Sequence, residues 1–353
     1  MRRFCALFLA LLAFSPWAAL PVKADQGLPG LSALSAVLML AETGEVLYSK
    51  AGKSKLPMAS TTKLMTALIA CEADTPGKTI RMSEELCTVE GSGMGLKAGD
   101  EISLRGLVLG AMLASGNDAA NAIAVMLGGT QERFAAMMNR RAKELGMVNT
   151  LFVTPSGLDA PGHCSTAYDM ALLARAALEN PILLQICASK SAVVRLSGRE
   201  IRLSNHNRLL REYEGCLGLK TGFTKKAGRC LVSAARRGGL TLVCVTLNAP
   251  SDWTDHKRLL DYGFALLDER AEEIPKLSLN VVGGREASVE LECPQKPPLG
   301  AGAASCVALV RPFEYAPIAK GILCGELRYY SKAGKLIISL PLVTSKEVRG
   351  KDK

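Results

Sequence analysis

The chain has 353 residues, 48% of them hydrophobic, and a formal net charge of +10. That length and apolar content are enough for a full core, and two domains are expected. The positive charge comes with no nucleic-acid-binding motif; beyond ordinary solvated surface it suits anionic wall polymers or lipid head groups.

The first two dozen residues have the pattern of an export signal. Arg2 and Arg3 precede an apolar stretch over residues 4–14, and Val22-Lys23-Ala24 places small residues around a cut site, so cleavage is expected after Ala24. The alternative is an uncleaved membrane anchor, but Ser15 and Pro16 interrupt a segment already short of the roughly 20 residues a span needs. Removing Arg2, Arg3 and Lys23 lowers the charge from +10 to +7. Of the 11 cysteines, Cys5 leaves with the signal. The other ten include no C-x-x-C pair, which argues against a zinc ribbon or a thioredoxin-type site. Their even number permits disulfides, while Cys230 and Cys244 lie in apolar runs suited to small buried hydrophobes.

Residues 36–41 and 45–48 are strand-like around Thr43-Gly44, which predicts a hairpin. From residue 60 to about 180 the pattern is mainly helical, with segments at 61–71, 104–113, 118–127, 131–145 and 166–178. Strands follow at 192–196, 200–203, 229–236 and 240–247, and a helix at 254–267. This order predicts an antiparallel sheet made by both ends of a domain, with a helical subdomain inserted between them. A break is expected over 269–275, where a charged stretch follows the helix, and a small β-domain with strands at 288–292, 307–310, 322–330 and 336–342 comes next. The resulting boundaries are 1–24 for the signal, 27–270 for the larger domain, 271–345 for the β-domain and 346–353 for a basic tail.

Three short motifs lie in the larger domain. Ser60-Thr61-Thr62-Lys63 opens an apolar helical run and puts a hydroxyl and an amine on one helix face. Taken alone it is also an ordinary helix start, with Pro57 as the upstream breaker. Neutral Lys63 would take the Ser60 proton if burial and a nearby cation such as Lys220 lowered its pKa far below about 10.4. Ser115-Gly116-Asn117 follows 55 residues after Ser60, and Lys220-Thr221-Gly222 a further 105 residues on. That order is the one used by active-site-serine penicillin-binding proteins and β-lactamases.

With those triplets in place, the chain resembles the low-molecular-mass penicillin-binding proteins that are serine-type D-alanyl-D-alanine carboxypeptidases. The resemblance spans about residues 27–345 and includes Gly157-Leu158-Asp159-Ala160-Pro161-Gly162-His163 and Asn205-His206-Asn207-Arg208-Leu209-Leu210. The first of these stretches discriminates further, because β-lactamases share the triplets but not it. The implied fold is α/β (α+β): an antiparallel sheet with an inserted helical subdomain, plus a small C-terminal β-domain. The implied reaction is attack by Ser60 on the peptide bond between two terminal D-alanines of a peptidoglycan stem, then hydrolysis of the acyl-enzyme. Penicillins would block it covalently.

The resemblance makes Lys63 the base and has Ser115 relay a proton to the leaving amine. Asn117 holds the substrate amide, Lys220 and Thr221 meet its terminal carboxylate, and the backbone N–H groups of Ser60 and Phe223 hold the oxyanion. Gly222 lets the substrate backbone pair along the strand edge. No cofactor or metal is implied, and three histidines offer little for a metal site. His206 is either a rim contact or a solvated loop residue, and His163 follows a Pro-Gly turn where a structural role is as natural. Family members commonly end in an amphipathic membrane-docking helix; the basic residues after Leu342 form no such apolar face.

Three alternatives stand beside this reading. A β-lactamase of the same fold would need a glutamate to hold the hydrolytic water, and the corresponding stretch reads Thr154-Pro155-Ser156-Gly157. A non-catalytic peptidoglycan or β-lactam sensor would lack a catalytic group or carry a signalling span. An endopeptidase acting on cross-links would use the same residues with a different cleft width.

Overall fold

The computed structural model describes residues 10–12, 30–73, 77–269, 276–294, 303–331, 334 and 336–351. Most of the expected export signal, with its cut site, lies outside them. Contacts divide the chain into two units, one of residues 22–237 and 241–263 and the other of residues 1–21, 238–240 and 264–353.

After a short strand β1 (Ala10–Leu12), the larger unit opens with the hairpin of β2 (Ser35–Leu40) and β3 (Val46–Lys50). Every residue of β2 is buried, so the strand is a continuous apolar run covered on both faces. The chain then leaves the sheet. A 3-10 turn (Ala59–Thr62) leads into α1 (Lys63–Glu72), all of which is buried except its last two residues. Strand β4 (Thr79–Arg81), the single turn α2 (Glu84–Cys87) and β5 (Glu101–Ser103) follow, β4 and β5 forming a small ribbon.

Next come α3 (Leu104–Leu113), α4 (Asn117–Gly128), α5 (Gln131–Glu144), α6 (Ala167–Glu179) and α7 (Pro181–Ala188). Side-chain caps define four of these starts: Ser103, Thr130, Thr166 and Asn180 each accept a hydrogen bond from an N–H in the first turn. Helix α7 was not expected from the sequence. It carries its signal all the same, an Asn180 cap followed by Pro181 at the first helical position.

The return is through the ribbon of β6 (Ser191–Arg195) and β7 (Glu200–Ser204), the turn α8 (Leu209–Glu212), and strands β8 (Cys216–Thr224), β9 (Gly228–Arg237) and β10 (Leu240–Leu247). The five-stranded sheet has the order β3-β2-β10-β9-β8, with β2–β3, β2–β10 and β8–β9 antiparallel. Both chain ends of the unit thus form the sheet and the helices are inserted between β3 and β8, as the order of elements predicted; β8 is an edge. Helix α9 (Asp252–Glu269) lies against β2 and β10, because a Cβ added at Gly263 would meet Leu38 and Leu242. Its buried His256 joins Ser233 Oγ at 2.6 Å and Thr246 Oγ1 at 3.0 Å.

The smaller unit contains β11 (Leu277–Val282), β12 (Ser288–Glu292), β13 (Ala303–Val310), β14 (Phe313–Tyr315), β15 (Leu323–Ser331) and β16 (Leu336–Thr344), in a sheet of order β1-β13-β15-β16-β12-β11-β14. Alternating burial in β11 and β12 marks a sheet with one covered face. Residues set apart in the sequence as a basic tail are tied into this unit beside the sheet: Val348 bridges Ile318, and Lys351 N–H donates to Gly283 O. Among the described residues, no single helix is long and apolar enough to cross a membrane.

Candidate active site

The three motifs sit where backbone geometry is least ordinary. Only five non-glycine residues among those described have positive φ, and three of these adjoin the motifs: Ala59 (49°) before Ser60, Ser115 itself (58°), and Leu219 (84°) before Lys220. Such conformations cost on the order of 1–3 kcal/mol each and persist where surrounding contacts impose them, typically at functional sites.

At the first motif, the 3-10 turn runs directly into α1 and puts the Ser60 Oγ 2.8 Å from the Nζ of Lys63. Lys63 is fully buried. Its amine also lies 2.7 Å from Asn117 Oδ1 and 2.6 Å from the Ser156 carbonyl oxygen. Burial lowers the Lys63 pKa well below 10.5, the Lys220 charge lowers it further, and Asp118 opposes both.

At the second motif, Ser115 Oγ accepts a 3.1 Å hydrogen bond from Lys220 Nζ, which also donates to Thr221 O at 2.8 Å. Lys220 is buried as well, and burial lowers it to about 7. Asn117 opens α4, with its Nδ2 2.6 Å from Glu90 O and its backbone N–H 2.7 Å from Ser92 O. The next residue, buried Asp118, accepts from Met94 N–H at 3.0 Å and Leu96 N–H at 3.3 Å, which ties the 90–96 segment to the start of the helix.

The third motif lies on edge strand β8. A Cβ at Gly222 would be 3.0 Å from both Ser60 N and Thr61 N, so this glycine lets the strand approach the Ser60 turn. Thr221 is half-buried, whereas Phe223 is 64% exposed. His206 is exposed on the loop after β7, and its pKa is lowered first by partial burial and then by Lys220, which places it near the buried lysine.

Sequence reasoning missed the contribution of the 154–163 loop. Ser156 contributes a backbone carbonyl, and Thr66 Oγ1 donates to Pro155 O at 2.6 Å, which pins the loop to α1. Gly157 has φ of 84°, and a Cβ there would be 2.0 Å from Ala59 O and 2.8 Å from Thr62 Oγ1. The Gly157→Ala variant should therefore lose on the order of 3 kcal/mol through overpacking and left-handed strain. Thermal unfolding checks this; an unchanged midpoint would show that the loop relaxes freely.

The sequence profile of the D-alanyl-D-alanine carboxypeptidase family matches residues 22–251. The chain is 35% identical to the D-alanyl-D-alanine carboxypeptidase DacF of Bacillus subtilis over 273 residues, covering 73% of this chain and 70% of that protein. It is 34% identical to DacC of Escherichia coli over 349 residues, covering 91% and 85%. Among solved structures, a D-alanyl-D-alanine carboxypeptidase from Mycobacterium tuberculosis aligns with a TM-score of 0.66 at 36% identity, covering 70% of this chain and 96% of that one. The Streptomyces K15 DD-transpeptidase aligns at 0.64 with 31% identity, covering 67% and 98%.

Proposed function

The chain belongs to the D-alanyl-D-alanine carboxypeptidase family of serine peptidases, and from that membership we propose that it removes the terminal D-alanine of peptidoglycan stem peptides through an acyl-enzyme on Ser60. The observation that carries the assignment is the choice of partners around Lys63 Nζ. Asn117 Oδ1 and the Ser156 carbonyl can only accept hydrogen bonds, whereas Ser60 Oγ can also donate. A neutral amine has two hydrogens and one lone pair. The two pure acceptors take the hydrogens, and the lone pair is left for the Ser60 proton. Burial beside Lys220 favours that neutral state.

Ser60 Oγ then attacks the carbonyl of the penultimate D-alanine while its proton passes to Lys63. The substrate lies along β8 as an added strand, and the backbone N–H groups of Ser60 and Phe223 hold the oxyanion. Ser115, bonded to Lys220, passes a proton to the departing D-alanine nitrogen. Lys220 and Thr221 receive the terminal carboxylate. Asn117 is committed to Lys63 and Glu90, but an amide nitrogen has two hydrogens, and the second serves the substrate carbonyl. Water finally releases the shortened stem. The 154–157 stretch next to Lys63 offers a carbonyl rather than the carboxylate a fast penicillin hydrolase would need, so penicillin should acylate Ser60 and remain. Export by the N-terminal segment would place this activity in the cell wall, where β-lactams reach it.

The direct test incubates the mature protein with a peptide ending in D-Ala-D-Ala, measures free D-alanine, and follows a fluorescent penicillin in parallel. D-alanine release together with a long-lived label is the expected result. A label lost within seconds would favour a β-lactamase, and a stable label without release would favour a sensor or an endopeptidase.

A further inference from the structure

His163 is nearly fully buried and has two defined partners. Its Nδ1 accepts from Val153 N–H at 2.9 Å, so the ring proton resides on Nε2, which lies 2.9 Å from Thr62 Oγ1. The Thr62 hydroxyl in turn donates to Ala59 O at 2.8 Å. Phe152 packs edge-on against the imidazole at 6.2 Å between centroids. The chain of bonds ends on the carbonyl of the residue whose positive φ sets the direction of the chain into Ser60, and Gly157 bounds the same carbonyl.

We propose that His163 is a positioning residue that acts through Thr62 to fix the strained peptide ahead of Ser60, and so sets the rate of acylation. The inference rests on Ser60 being the nucleophile. Its physical content is geometric. The Ser60 Oγ must stay within hydrogen-bond reach of Lys63 while the turn holds an unfavourable conformation, and a small rotation of the Ala59 peptide would carry the hydroxyl off line. Misplacements of that kind cost up to about 100-fold in rate without touching the reacting atoms. Burial lowers His163 to about 4 while Asp159 pulls the other way, so near neutrality the ring is uncharged and the tautomer holds.

The test is a double-mutant cycle on the full-length mature protein, with penicillin acylation rate and thermal midpoint as separate readouts. Thr62→Val and His163→Leu should each slow acylation roughly 10- to 100-fold. The double variant should be no slower than the worse single one. His163→Gln, which keeps a donor for Thr62, should recover most of the rate, but only when Thr62 is present. Asn139→Ala, which removes bonds to Ala135 and Phe152, should lower the midpoint and leave acylation near wild type. Multiplicative losses in the double variant, or acylation that tracks the midpoint across all variants, would overturn the inference while leaving Ser60 in place. A wild-type protein that takes no label at Ser60 would overturn both.

Discussion

Ser60→Ala is expected to abolish covalent penicillin labelling and to lower D-alanine release by roughly four orders of magnitude or more, the scale seen when a catalytic serine is removed. The fold should survive. Ser60 is half-buried, and Lys63 keeps its contacts to Asn117 Oδ1 and Ser156 O when the hydroxyl is gone. Losing one hydrogen bond of this kind costs about 1 kcal/mol. Mass spectrometry of the penicillin adduct, with circular dichroism as a folding control, reads both halves. A folded Ser60→Ala protein that still labels would mean that the nucleophile is another residue.

The second large effect is expected at Lys63. Lys63→Met keeps much of the buried volume and removes the base, so acylation should fall by about 10²–10⁴-fold. A folded Lys63→Met protein that acylates at the wild-type rate would rule out the base role. The pH dependence follows from the direction of the shift. As the proposed base, Lys63 acts when neutral, and burial followed by the Lys220 charge moves its pKa downward. Acylation by wild type should therefore persist to lower pH than an ordinary lysine would allow and be lost as acid protonates Lys63. Replacing Lys220 by Gln removes the second cause and leaves the first. The Lys63 pKa should rise, and the acid limb of the acylation profile should move to higher pH, on top of an overall loss from weaker carboxylate binding. An acid limb that stayed in place or moved down would contradict the assignment of Lys63 as the group being titrated.

Much of the architecture could be read from the sequence because it depends on local patterns. The apolar run of β2, the Thr43-Gly44 turn and the period of α3 through α6 each carry their own signal, and the three motifs named residues that hydrogen bonds join: Lys63 to Ser60 and Asn117, and Lys220 to Ser115. What escaped detection was built from backbone groups. The Ser156 carbonyl at Lys63 and the Glu90 carbonyl at Asn117 have no side-chain signature, since any residue offers a carbonyl and only the tertiary fold aims it. Gly157 and His163 lay inside a stretch that the sequence had already marked as distinctive. Their purpose becomes visible only when Ala59 is seen in a left-handed conformation beside them. Asn117 shows the same limit: the resemblance implied a substrate contact, and the structure adds that it joins two protein groups.

Strand β8 ends the five-stranded sheet, and on the proposed reading its edge stays open for the substrate. Such an edge is ordinarily a hazard, since unpaired N–H and C=O groups invite another sheet to add on, and proteins blunt it with proline, bulges or inward charge. Here those devices would block the substrate pairing proposed along Thr221, Gly222 and Phe223. The Ser60 turn covers β8 only on one face, within 3.0 Å of where a Gly222 side chain would begin, and side chains leave a strand perpendicular to its hydrogen-bonding direction. On the proposed reading the in-plane edge therefore stays a template for one extended peptide. The protein carries with it the risk of edge-to-edge pairing that such a template brings.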